Sequence, residues 1–267
     1  MNRLKIAAIQ SSPVFGEVAA NLATTLELVP AGCDLAVLPE LFATGYQFRT
    51  AAEAWDMAED LSEGAAPGAI TARLIDHAAA TGTTLVAGLA ERAGEQVFNA
   101  SLLVRPDGSR ETYRKVHLFL DEKSIFTPGD LGFPVFAACG TTIGMMICFD
   151  WIFPEAARSL ALAGAEIICH PSNLLLPWCQ AAMVTRCQEN MVFAVTSNRV
   201  GTENRTGRAL TFSGRSQVVS PLGDRLAGLG PEETGAAAAE ITLVEKDKQF
   251  TERNDLWEDR RPEAYRT

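Results

Sequence analysis

A cysteine, a glutamate and a lysine in this chain have the types and settings that covalent hydrolysis needs. Cys148 closes the apolar run TTIGMMI (141–147) and is followed by FDWIFPEAARSLALAG, so a β-rich stretch hands over to a helix at the thiol. Such junctions present unpaired backbone N–H groups and hold the chemistry of open α/β sheets. Only a thiolate attacks, so Cys148 needs a base or a positive field beside it. If it sits on a strained turn, the Phe149 N–H points toward an oxyanion. Glu40 follows a strand-like run in DLAVLPELFATGY (34–46). A lone Glu there is ordinarily a surface acid, but its apolar neighbours Leu41 and Phe42 would desolvate it and raise its pKa toward general-base range. Lys115, in YRKVHLF, reads as a solvated lysine or as an ammonium at a sheet end that stabilises an oxyanion. Glu122, seven residues on, would position that lysine or a substrate amine.

The histidines offer a rival. His117 follows Lys115 by two, so both face one side of a strand, and His170 lies at a strand end; either would serve a Cys–His thiol hydrolase. His77 falls on a helical pattern. A non-catalytic scaffold is the other rival class. None of the histidines is needed if Glu40 is the base.

The elements that must position these residues alternate. Apolar runs at 4–9, 35–38 and 83–89 read as strands, and 18–29 and 69–80 as helices. Residues 97–104 and 111–116 read as a hairpin turned by Asp107-Gly108. Further strands are expected at 133–136, 142–147, 166–169 and 192–197, and helices at 154–163 and 180–189, the first with Pro154 at its opening position and Gly164 as its stop. Strands at 215–220 and 235–241, joined across PLGD, complete the pattern. A hairpin inside a βα alternation excludes a purely parallel doubly wound sheet and favours a mixed sheet, or two sheets face to face with helices outside.

Composition sets bounds. The 267 residues are 47% hydrophobic and 21% charged, with no break in composition, which reads as one soluble domain. A net charge of −10 argues against nucleic acid or an anionic membrane as partner. The N-terminus turns polar after about ten residues and no apolar stretch nears the roughly 20 needed to span a bilayer, so a cytoplasmic protein is expected. The six cysteines (33, 139, 148, 169, 179, 187) form no C-x-x-C pair, which reads as free thiols with neither a disulfide framework nor a metal site. The charged segment 247–267, with Trp257 and Tyr265, reads equally as a frayed tail or as an arm on a partner subunit.

Taken together, LPELFATGY, YRKVHLF and GMMICFDWIFPEAAR resemble the glutamate, lysine and cysteine motifs of the nitrilase superfamily of carbon–nitrogen hydrolases. EKSIFTPGD, GAEIICHPSN, RCQENMVFAVTSNRVG, FSGRSQVVSPLGD and DRRPEAY look like its accessory segments, in order along nearly the whole chain. The resemblance implies a four-layer α-β-β-α sandwich, a Glu40-Lys115-Cys148 triad with Glu122 as a second glutamate, no metal or organic cofactor, and a homodimer or larger assembly. That favours a domain at 1–246 and an arm at 247–267. It also implies a small-molecule amide or nitrile as substrate. Family nitrilases usually follow the cysteine with Trp-Glu; here Phe149-Asp150 stands there, which favours amides. Some similar small archaeal-type members with a CFDW turn are called nitrilases, and N-carbamoyl amides stay within the family's range. Around the triad, Asn173 is a candidate for binding a substrate carboxamide or for capping its loop. Trp178 is a candidate to line the pocket, and Tyr46 to wall its entrance.

Overall fold

The computed structural model describes residues 2–243 and 248–265. Strand β1 (Asn2–Gln10) leads to helix α1 (Val18–Glu27) and to β2 (Leu35–Val37). Helices α2 (Ala51–Asp56) and α3 (Ala69–Thr81) precede a meander of β3 (Thr84–Ala93), β4 (Gln96–Val104) and β5 (Arg110–Arg114). The short α4 (Glu122–Ile125) connects to β6 (Val135–Ala138) and β7 (Thr141–Met145). After a 3-10 turn (Cys148–Ile152) come α5 (Pro154–Leu162), β8 (Ile167–Pro171), α6 (Cys179–Asn190) and β9 (Phe193–Ser197). A two-residue pair, β10 (Thr202–Glu203) and β11 (Leu210–Thr211), precedes β12 (Gln217–Val219), β13 (Arg225–Gly228) and β14 (Gly235–Leu243).

Two six-stranded sheets result, in the orders β14-β1-β2-β3-β4-β5 and β13-β12-β9-β8-β7-β6. Each has three parallel strands at its centre, β1-β2-β3 and β7-β8-β9, flanked by antiparallel ones. Period-2 alternation sends Leu4, Ile6, Leu35, Val37 and Val86 to the inner face, where they meet Ile143, Met145, Ile167, Cys169 and Val195 of the other sheet. The alternate residues Ala7, Ile9, Ala36, Leu85 and Ala87 pack on Leu22, Leu26, Ile70 and Leu74 of α1 and α3. Helices α5 and α6 cover the second sheet through Ala157, Leu160, Met183 and Cys187. The architecture is the α-β-β-α sandwich, with both parallel cores opening their carboxyl ends to one region.

Some elements differ from the sequence reading. PLGD turns β12 into β13, a strand not expected, while β14 crosses to the first sheet and pairs with β1 from Asn2↔Leu243 to Gln10↔Gly235. Helices α2 and α4 are too short for a periodic signal. Cys33, Cys148, Cys169, Cys179 and Cys187 are free and buried, and Cys139 is partly buried. The expected boundary between domain and arm, at 246/247, lies outside the described residues, as do 266 and 267 at the arm's end. The described part folds back on its own chain as a hairpin, Gln249–Thr251 with Asn254–Asp255. The Arg158 guanidinium lies 5.1 Å from the Trp257 ring, and the Lys248 ammonium donates to the Met191 carbonyl at 2.7 Å.

Candidate active site

Glu40 leaves β2 through Pro39 and is clamped by the neighbouring strand. The Gly88 N–H donates to the Pro39 carbonyl at 3.2 Å, and the Phe42 N–H to the Gly88 carbonyl at 3.3 Å. That approach requires a glycine: a Cβ at Gly88 would stand 2.4 Å from Glu40 Cα. Leu41, next in line, has φ +50°, a left-handed conformation rare for a bulky residue. Lys115 lies just past β5, its N–H donating to the Asn99 carbonyl and its carbonyl accepting from Gly129 N–H, both at 2.8 Å. Glu122 opens α4. Cys148 has φ +42° and begins the 3-10 turn. The first bond of that turn is Asp150 N–H to Ile147 O at 3.0 Å, so the N–H groups of Cys148 and Phe149 precede the hydrogen-bonded ladder. Strain at both turns marks positions held by their surroundings.

The side chains converge. Lys115 Nζ donates to Glu40 Oε1 at 2.7 Å and to Glu122 at 2.8 Å. Glu40 Oε1 also accepts from Asn99 Nδ2 at 2.6 Å. Glu40 Oε2 has no partner among the described residues. Asn173 Nδ2 donates to the Glu40 carbonyl at 2.9 Å, and the Asn173 main chain favours the Cys148 thiolate. Glu40 and Lys115 are fully buried and Cys148 is 3% exposed.

Electrostatics follow from that burial. The Cys148 thiol is pushed well above its ordinary range by burial first and then by the Glu40 charge, with the Lys115 ammonium opposing. At rest the side chain is therefore a thiol, and it can attack only where a base takes its proton. Burial alone would depress the Lys115 ammonium, but the Glu122 and Glu40 carboxylates outweigh it and hold that group above the ordinary lysine range. Glu122 is pushed up to about 7 by burial, with Lys115 opposing and the Glu40 charge adding.

Asp150, which with Phe149 stands in the sequence as a sign of amide over nitrile, is fully buried and joins the two turns. Its Oδ2 accepts from Ile147 N–H at 2.8 Å and Tyr113 hydroxyl at 2.6 Å. Its Oδ1 accepts from His117 N–H at 3.1 Å and faces His117 Nδ1 at 2.7 Å. One carboxylate thus grips the residue before Cys148 and residues on both sides of Lys115. His117 is committed to this contact and stacks on Phe153 at 3.7 Å. His170 Nε2 faces the Cys148 carbonyl at 2.9 Å, and burial depresses its pKa to about 4. Neither imidazole is bonded to the sulfur, which removes the observation a Cys–His pair would need.

The two aromatic candidates differ in setting. Tyr46 is buried, its hydroxyl donates to Glu122 Oε1 at 2.6 Å, and it lines a cleft with Glu122 and Phe126. Its backbone N–H is held by Glu203, which pairs with the buried Arg199. Trp178 stands at the start of α6 with 60% of its surface exposed, outside the buried cluster, because the loop before it carries the indole to the surface. Asn173 is in the cluster, and its Oδ1 has no partner among the described residues. Sequence reading missed Asn99, whose carbonyl holds Lys115 and whose side chain holds Glu40. Its signal was an Asn inside the strand-like FNASLLV, where Asn is disfavoured.

Comparisons with known proteins give the family. The family model described as Carbon-nitrogen hydrolase matches residues 5–248. A protein named Nitrilase from Pyrococcus abyssi is 43% identical, covering 98% of this chain and 99% of its own. An (R)-stereoselective amidase from a Pseudomonas species is 35% identical over 86% of this chain and 82% of its own. The crystal structure of an amidase from a Nesterenkonia species superposes with a TM-score of 0.79 at 27% identity, covering 97% and 94% of the two chains. A double mutant of the Nesterenkonia AN1 amidase, solved in complex with acrylamide, matches with a TM-score of 0.79 at 26% identity over 98% and 96%. The chain belongs to the carbon–nitrogen hydrolase family.

Proposed function

From that membership we propose that this protein is an amidase, hydrolysing the non-peptide C–N bond of a small amide to a carboxylic acid and ammonia through a thioester on Cys148. The observation that carries the reading is the buried lysine bridge: one ammonium between two carboxylates, beside a neutral thiol on a left-handed turn. Glu40 Oε1 is occupied by Lys115 and Asn99, which leaves Oε2 as the oxygen that takes the thiol proton. The thiolate adds to the amide carbonyl. Two Lys115 N–H groups face Glu40 and Glu122, and the third joins the Phe149 N–H on the oxyanion. Glu40 returns the proton to the departing nitrogen and ammonia leaves. Glu40 then deprotonates the water that attacks the thioester, the C–S bond breaks as the acid forms, and Glu40 gives the proton back to the Cys148 sulfur. The steps close on these side chains without a metal or organic cofactor. Glu122, held by Tyr46 and Lys115, positions the lysine.

Amide over nitrile rests on the Phe149-Asp150 sequence and on the amidases among the relatives. Asp150 acts on the turn and not on the substrate, since both its oxygens are engaged. The Pyrococcus relative's name makes nitriles the second reading. The same proposal takes the protein as a cytoplasmic homodimer in which the C-terminal segment meets a partner, with Phe250 and Tyr265 exposed there. The test is ammonia release from a panel of short amides, matching nitriles and N-carbamoyl compounds. Amides should turn over fastest, and preferential turnover of nitriles overturns the reading.

A further inference from the structure

Asn173 is tied to the Glu40 turn. Its Nδ2 donates to the Glu40 carbonyl at 2.9 Å, its main chain favours the Cys148 thiolate, and the residue is 1% exposed. A main-chain carbonyl only accepts, so the carboxamide is oriented with nitrogen toward Glu40. Oδ1, on the same carbon, is buried and has no donor among the described residues. Glu40 Oε2 is in the same condition. Each unpaired buried acceptor costs about 1–3 kcal/mol, so two of them tied together beside one thiol form a site that a donor-rich group relieves.

We propose that Asn173 Oδ1 accepts a hydrogen bond from the scissile nitrogen of the substrate and, with Glu40 Oε2, selects compounds whose scissile nitrogen bears hydrogens. The inference rests on the amidase reading and deepens it. A primary carboxamide carries two N–H donors, one for each acceptor. When the tetrahedral adduct collapses, Glu40 Oε2 gives its proton to nitrogen and the C–N electron pair goes to nitrogen. The carbonyl re-forms as thioester, and Asn173 still holds one N–H of the departing ammonia. A nitrile or an ester presents lone pairs to these two acceptors and gains nothing from them. Asn173 is thereby a specificity-determining residue as well as a brace for the Glu40 backbone.

The two roles separate in one experiment. A primary amide and the methyl ester of the same short acid acylate the same cysteine, and only the amide has N–H groups to lose. For Asn173→Ala, and for the near-isosteric Asn173→Leu should alanine fail to fold, the amide-to-ester ratio of kcat/KM is expected to fall by about tenfold relative to the unmodified protein. Both substrates are measured on one preparation, so a reduced folded fraction cancels from the ratio. Equal slowing of amide and ester overturns the inference and leaves Asn173 a brace only. If the unmodified protein hydrolyses the ester but releases no ammonia from any amide, the amidase reading fails and takes the inference with it. Ammonia release with an unchanged ratio in the variants sinks the inference alone.

Discussion

Gly88→Ala is the substitution that ties the fold most sharply to the chemistry. An added methyl at this position would lie 2.4 Å from Glu40 Cα and 2.9 Å from both Leu41 N and Pro39 O. All three are backbone atoms, so no flexible side-chain tip can yield. Restoring ordinary contact requires the Glu40 turn to move by about 1 Å, and a displacement of that size in a reacting constellation costs about a hundredfold in rate. Overpacking of this kind costs about 1–3 kcal/mol in stability, well short of unfolding a typical domain. The control is Gly144→Ala on β7, whose methyl would meet only side chains, Leu160 and Ala165, at 3.0–3.1 Å. The assay is kcat/KM for ammonia release beside a melting curve for each variant. Gly88→Ala should lose about two orders of magnitude in kcat/KM, while Gly144→Ala destabilises by a similar amount and stays near full activity. Full activity in a folded Gly88→Ala protein refutes the placement of Glu40 as a position held by its neighbouring strand.

Removing the Tyr46 hydroxyl with Tyr46→Phe deletes the 2.6 Å bond to Glu122. That bond lowers the Glu122 pKa, so its loss should push the carboxyl further above about 7. A kcat-against-pH profile should show its neutral limb moved to higher pH, and an unmoved limb excludes Glu122 as its source. His170 bears on stability. Its folded pKa of about 4 lies below its ordinary 6.5, so between those values the unfolded chain binds more protons and stability rises with pH. The full effect is about 3 kcal/mol, gained from pH 4 to 6.5 and lost on acidification through that window. His170→Gln keeps an amide donor for the Cys148 carbonyl and removes the titration, so denaturant midpoints across that window should flatten. An unchanged slope assigns the acid sensitivity to other groups.

What was legible in the sequence followed from local pattern. Short apolar runs located the central strands, and Pro154 with Gly164 bounded α5. Glu40 and Cys148 each sat at the end of an apolar run and Lys115 near the end of a hairpin strand, which is where a sheet delivers side chains to its edge. What was not legible depended on contacts between distant segments. Asn99 lies 59 residues from the Glu40 it holds, and Tyr46 lies 76 from Glu122. Asp150 looked like a residue that tunes substrate choice, because its grip on Tyr113 and His117 joins segments more than 30 residues apart. Tyr46 and Trp178 were both aromatic residues near a motif, and no local rule separates a buried brace from an exposed indole. The β13 and β14 assignment failed because the strands after PLGD belong to different sheets, a choice set by edge pairing with β1 and not by the turn.

The central claim is a covalent intermediate on Cys148. Rapid acid quench during turnover of a short amide, followed by mass measurement of the intact protein and of its peptides, tests it directly. The account predicts a fraction of the protein heavier by the acyl group, with the addition on the peptide carrying Cys148, and neither adduct nor ammonia release in a folded Cys148→Ala variant. Ammonia release by that variant contradicts it, as does an acyl group found on any of the other five cysteines and never on Cys148.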